Sequence, residues 1–181
     1  MPKPTGALVS AMSKWWSLVA VFMLLIDTTI VNVALPAIER DLDAGFTDLQ
    51  WVVDAYALTL ASTLLTGGSI ADLVGRRKVF IIGVAVITAA SLLCGLSTTP
   101  LMLNLARDLQ GVGGALMFAT SLALLASAYQ GRDRGTAIGI WGGTIGVAVA
   151  VGPLLGGVLT EAIGWEAIFF VNVPVGVAVM R

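Results

Sequence analysis

Long apolar runs separated by short polar stretches set the pattern of this chain. Runs with few charges fall at about residues 16–35, 49–70, 79–96, 101–126 and 136–163. Each is long enough to cross a bilayer as helix, which takes roughly 20 residues for a ~30 Å hydrocarbon core. A last run covers residues 168–180. As helix it would rise only about 20 Å, short of a full crossing. The pattern predicts an all-α polytopic membrane bundle, one unit over residues 1–181, with about five complete spans and an incomplete sixth. Pro36 is expected to stop the first span. A cleaved signal peptide fits that run poorly: its apolar part would be about 7–15 residues, and this run is longer, with Asp27 inside it. Connections are short, with turn chemistry at residues 97–100 (STTP) and 130–135 (QGRDRG).

Composition sharpens the class. Hydrophobic residues make up 57% of the 181 and charged ones 12%, against roughly 45–50% and about 25% in soluble domains. A soluble globular domain and a disordered chain are excluded. The net charge of −1 offers no basic excess for nucleic acid. Histidine is absent, which removes a Ser-His-Asp triad, a histidine metal site and a histidine proton relay from these residues. Cys94 is the single cysteine, so no intrachain disulfide can form. There is no Walker A loop, HExxH or GxSxG. The expectation is therefore a non-enzymatic protein with no cofactor and no metal, driven by an ion gradient.

Basic residues orient the chain. With the N-terminus in the cytoplasm, inner segments hold Lys3, Lys14, Arg76, Arg77, Lys78, Arg132 and Arg134, and outer loops hold only Arg40. The first outer loop carries Glu39, Asp41, Asp43 and Asp48 instead. Trp15, Trp16, Trp51 and Trp165 sit at expected span ends, as interfacial aromatics do.

Four charges fall inside expected spans: Asp27, Asp54, Arg107 and Asp108. Charge in hydrocarbon is costly and usually faces a cavity or a partner. Asp27 lies near mid-membrane, with Thr28 and Asn32 on neighbouring helix positions. It is either a working carboxylate or a static counter-ion to an arginine on another helix. Asp54 stands at the edge of a polar stripe of Thr59, Ser62, Thr63 and Thr66, whose hydroxyls can equally well bond their own helix. Arg107 shares a face with Gly111, Gly114 and Phe118, with Gln110 beside it. Arg107 is either part of a pathway or a fixed ion pair. Asp108 points about 100° away and has no evident role. One positive against three negatives leaves at least one carboxylate without a permanent cation, and desolvation favours the protonated form of such a group. On the fifth span Gly139, Gly143, Gly146, Ala150, Pro153 and Gly157 share one side of the wheel, a stripe suited to close helix contact. Pro153 should bend that helix.

The order of these features resembles the major facilitator superfamily, specifically its fourteen-helix drug:proton antiporters. Residues 26–36 (IDTTIVNVALP) look like the first-helix motif and 50–56 (QWVVDAY) the second-helix opening. Residues 68–80 are similar to the cytoplasmic loop motif Gly-x-x-x-Asp-x-x-Gly-Arg-Arg/Lys, here Gly68, Asp72, Gly75, Arg76, Arg77 and Lys78. Residues 107–113 (RDLQGVG) look like the fourth-helix Arg-x-x-Gln-Gly motif. Gly152, Pro153, Gly156 and Gly157 resemble the antiporter motif, and residues 169–176 (FFVNVPVG) the entry to the sixth helix. Three positions depart from the pattern: Leu73 in place of a basic residue, Trp165-Glu-Ala in place of Trp-Arg-Trp, and Asp108 inside the fourth-helix motif.

The resemblance implies the N-terminal part of a proton-driven multidrug efflux antiporter in the bacterial plasma membrane. Substrates would be hydrophobic, mostly cationic drugs, bound between this bundle and a C-terminal half. It implies a proton and substrate pathway involving Asp27, Asn32, Asp54, Arg107 and Gln110. It also implies a cytoplasmic latch at Asp72 and residues 76–78, and a leak-limiting interface at Gly152 and Pro153. The expected partners are lipid, protons, the drug and the remaining half of the transporter. Two other readings are a non-transporting truncated fragment and a metabolite permease of the same superfamily.

Overall fold

A computed structural model describes residues 5–180, with side chains from residue 18 onward except at 128. The expectations for Lys3, Lys14, Trp15 and Trp16 concern side chains outside the described residues. Seven helices follow in order: α1 Thr5–Leu42, α2 Phe46–Val74, α3 Arg76–Gly95, α4 Pro100–Ala128, α5 Gly131–Ala162, α6 Ala167–Phe170 and α7 Asn172–Met180. No strand occurs among the described residues. Five helices are long and apolar enough to cross a membrane, and Ala167–Met180 is a shorter apolar helical segment. The molecule is an all-α membrane helix bundle.

Local chemistry places most helix ends. Thr99 caps α4, its hydroxyl accepting from the Met102 N–H at 3.3 Å, with Pro100 in the first turn where no backbone donor is needed. The Asp48 carboxylate accepts from the Gly45 N–H at 3.0 Å at the start of α2. Gly75 alone separates α2 from α3, at φ 108°, a region that other residues rarely enter. Pro36, expected to stop the first span, lies inside α1, which runs on to Leu42. Proline costs one backbone donor, and a surrounding helix can continue past that single loss. The Pro36 carbonyl accepts from Arg40 Nε at 3.0 Å.

Three helices form the interior. Buried residues make up 50%, 56% and 50% of the most apolar windows of α1, α3 and α4, but only 11% of those of α2 and α5. So α2 and α5 are peripheral: α2 leans on α4, and α5 leans on α1. One core cluster joins Ile26, Ile30, Ile38, Val52, Leu103 and Phe169. A second joins Leu24, Phe80, Val84, Ile87 and Met117. Trp165, expected at a membrane interface, is instead 1% exposed in the first cluster, edge-on to Phe169 at 6.1 Å. The tight corner at Gly164 (φ 143°) folds the Ala167 segment back over α1 and α3, and the indole fills that corner.

Close approach is set by glycines. A Cβ at Gly113 would lie 2.7 Å from the Ile87 nitrogen, so α3 and α4 nearly touch. A Cβ at Gly111 would lie 2.6 Å from the Tyr56 carbonyl oxygen and 3.0 Å from Thr59 Cβ, which brings α2 equally near α4. On α5 the contact face differs from the expected stripe. Gly139, Gly143 and Gly146 meet nothing within 4 Å, whereas Gly152 and Gly156 press on Thr29 and Ile30 of α1. The contact face is turned by roughly 120° from the stripe. The wheel reports spacing along one helix and carries no information about where the neighbour lies.

Candidate functional site

Among the charges expected inside spans, Asp27 and Arg107 meet. Arg107 Nη1 donates to Asp27 Oδ2 at 2.6 Å, with both side chains at or below 1% exposure. Arg107 sits on the face of α4 that the glycines bring against its neighbours, so it reaches three of them. Its Nε donates to the Val52 carbonyl of α2 at 3.0 Å, and its Nη1 also reaches Gln110 Oε1 at 2.8 Å. The guanidinium lies over the Tyr56 ring, with Cζ 4.2 Å from the centroid, and Phe169 stands 5.9 Å away on another side. Stacked aromatic faces stabilise a desolvated guanidinium.

The carboxylate is equally engaged. Asp27 Oδ1 accepts from Gln110 Nε2 at 2.8 Å and from Asn172 Nδ2 at 2.9 Å. Those two amides also converge on Ser91 Oγ, at 2.8 and 3.2 Å. Cys94 Sγ donates weakly to Gln110 Oε1 at 3.6 Å. Five helices therefore meet in one dry polar knot: Asp27 of α1, Val52 and Tyr56 of α2, Ser91 of α3, Arg107 and Gln110 of α4, and Asn172 of α7. A buried ion pair needs such extra bonds, because desolvation otherwise cancels the Coulomb gain. An ionised carboxylate is acceptor-only, and this one receives three donors.

Asn172 and Ser91 are not distinguished by the charge pattern of the sequence. Both are neutral, and Ser91 sits in an apolar run that packs well without it. The available signal for Asn172 is its place as the lone amide in the apolar segment 168–180.

Other expected site residues lie apart from the knot. Asn32 is exposed and donates to the Thr28 carbonyl of its own helix at 3.4 Å. Asp54 is half-buried and has no hydrogen bond or ion pair among the described residues. Asp108 is half-buried too, and pairs with Thr59 across the α2–α4 seam at 2.6 Å. At the α2–α3 junction, Asp72 in the last turn of α2 accepts from Arg76 Nε and Nη2 at 3.1 and 3.0 Å. Both side chains are substantially exposed there, and Gly68, Arg77 and Lys78 lie at the same end of the bundle. A Cβ at Gly157 would lie 4.0 Å from Val33 Cγ1, and Pro153 is exposed.

Known proteins resemble this chain in sequence. The Major Facilitator Superfamily family model matches residues 17–180. A tetracenomycin C resistance and export protein of Streptomyces glaucescens is 44% identical over 90% of the chain. The multidrug resistance protein Stp of Mycobacterium tuberculosis is 42% identical over 88%, and a methylenomycin A resistance protein of Bacillus subtilis 43% identical over 87%. A riboflavin transporter, RibZ of Clostridioides difficile, is 36% identical over 91%. The matched part is 30%, 30%, 34% and 37% of those four proteins, so the chain spans about a third of the length of the curated relatives it matches.

Proposed function

The chain belongs to the major facilitator superfamily, and from that premise we propose that it forms the N-terminal part of a proton-driven exporter of hydrophobic, cationic drugs. The observation that carries the reading is the likeness, over most of the chain, to relatives named for antibiotic or multidrug resistance and export. The buried knot agrees with it. A carboxylate held by an arginine near mid-membrane is a group whose partner can be exchanged: a proton on Asp27 would neutralise it and weaken its hold on Arg107. A separation of α1 from α4 at this level would open that pair, which couples charge to shape. Asn32 and Asp54 would serve the same pathway from exposed and half-buried positions.

In this reading Asp72 and the basic residues 76–78 face the cytoplasm and latch the inner side, with the N-terminus cytoplasmic in the cell membrane. Gly152 and Gly156 seal α5 against α1 one turn from Asp27, limiting proton leak there. The substrate would bind between this bundle and the other half of the transporter.

The test is dye accumulation in cells expressing the full-length protein. Reduced retention that a proton uncoupler abolishes is the expected result; retention indifferent to the protein or to the uncoupler would count against it. The likeness to a riboflavin transporter favours a second reading, a metabolite permease. Movement of riboflavin rather than cationic dye in the same assay would select it.

A further inference from the structure

Asp108 stands outside the Arg107 knot and has its own arrangement. Thr59 Oγ1 lies 2.6 Å from Asp108 Oδ1 and 2.7 Å from the Ala55 carbonyl oxygen. A threonine hydroxyl has one proton to donate and accepts through its lone pairs. Two bare acceptors at those distances can only share it in a three-centre bond, weaker at each contact than a full hydrogen bond. A proton on Asp108 resolves the count. The carboxyl O–H then donates to Thr59 Oγ1, and Thr59 donates to the Ala55 carbonyl.

The charges around the pair favour the same solution. No lysine or arginine occurs anywhere in α2. On α4, Arg107 is turned away onto Asp27 and Tyr56. From α1, Asp27 is committed to Arg107, Gln110 and Asn172. From α2, Asp54 adds only negative charge, Asp48 caps the helix start, and the Tyr56 hydroxyl meets Thr28 at 3.4 Å. From α3, the Cys94 thiol is bonded to Gln110, and Arg76, Arg77 and Lys78 lie at the far end. From α5, Arg132, Asp133 and Arg134 lie in the first turns and Glu161 at the opposite end. The glycine-made approach of α4 to α2 at Gly111 keeps the pair together.

We propose that Asp108 and Thr59 form a second proton-binding site, separate from the Asp27–Arg107 knot. Uptake forms one O–H bond on the Asp108 carboxylate and breaks none in the chain. Release returns the proton to water and leaves Thr59 to choose between the carboxylate and its own helix, loosening either the seam or the helix turn. Use of this proton in transport rests on the exporter reading above; its binding does not.

Infrared difference spectroscopy across a pH step, on the full-length protein in liposomes with 13C-labelled aspartate, tests the site. A protonated-carboxyl C=O band that Asp108→Asn removes and Asp27→Asn retains is the expected result. Thr59→Val should keep that band and shift it upward, because the carboxyl loses its acceptor. This second variant reads the site even where Asp108→Asn fails to fold. A spectrum whose carboxyl bands are the same in wild type, Asp108→Asn and Thr59→Val would overturn the proposal. A protein that moves no drug but shows the band would refute the exporter reading alone.

Discussion

Asp27 and Arg107, eighty residues apart in sequence, share a 2.6 Å ion pair from which water is excluded. The pair exists because α1 and α4 are interior helices and because the glycines of α4 let its backbone come close to its neighbours. Its surroundings make each member depend on the other.

Replacing Asp27 by Asn leaves Arg107 buried without a counter-charge. Loss of one partner of a buried pair costs about 3–5 kcal/mol. The full-length Asp27→Asn protein should therefore melt well below wild type in detergent and, if the exporter proposal holds, lose drug efflux. The double variant Asp27→Asn/Arg107→Gln should recover part of the stability but none of the transport. Equal melting of the single and double variants would show that the pair is not coupled.

Arg107→Lys keeps the charge and loses the fork. A lysine cannot at once reach Asp27, Gln110 and the Val52 carbonyl while lying flat on Tyr56. If the exporter proposal holds, the expected outcome is correct membrane insertion with reduced transport, measured as the initial rate of dye efflux from loaded cells.

Asn172→Ala removes one donor from Asp27 and one from Ser91. An unsatisfied buried polar group costs about 1–3 kcal/mol. Its melting temperature should fall more than that of Ser91→Ala, which leaves the carboxylate's own bonds in place. The thermal unfolding of both variants side by side checks the order.

Glycine to alanine substitutions should sort by what the added methyl meets. At Gly156 it would lie 2.9 Å from the Ile30 carbonyl oxygen, a backbone atom that cannot turn aside. Overpacking of this kind costs about 1–3 kcal/mol. At Gly152 it would overlap the Thr29 hydroxyl, which is bonded to the Leu25 and Ile26 carbonyls, and lie 3.0 Å from Thr29 Cβ, so a comparable cost is expected. At Gly135 it meets open space, and the helix gains up to about 1 kcal/mol from alanine's better propensity. Melting of Gly156→Ala and Gly152→Ala below wild type, and of Gly135→Ala above it, is expected.

Asp72→Asn offers a contrast. The Asp72–Arg76 pair is exposed, and exposed pairs contribute about 0–1 kcal/mol. Melting should be unchanged while transport falls, if the loop acts as a latch. Unchanged transport would remove the loop from the mechanism.

Much of the bundle is legible in the sequence because membrane spans are long and charges within them are rare. That rarity brings out Asp27, Arg107 and Asp108 without any structure. What one-dimensional periodicity cannot supply is the neighbour. Asn172 and Ser91 join the knot through helix packing between segments 81 residues apart, which no local spacing encodes. The same limit explains α5, where glycine enrichment marks a contact helix but not its contact face. Pro36 and Trp165 fail for another reason: both rules describe averages, and a helix supported by its neighbours, or a corner in need of filling, overrides them.

The knot also restricts how this protein can change over generations. Its members are so connected that substituting one strands the others in a dry interior. A single substitution at Asp27 or Arg107 therefore passes through a stranded charge before any second change can rescue it. Outward residues of α2 and α5, whose most apolar windows are 11% buried, can change without stranding that charge. The ion pair thus ties α1 and α4 together through successive substitutions, a constraint that the outer helices do not share.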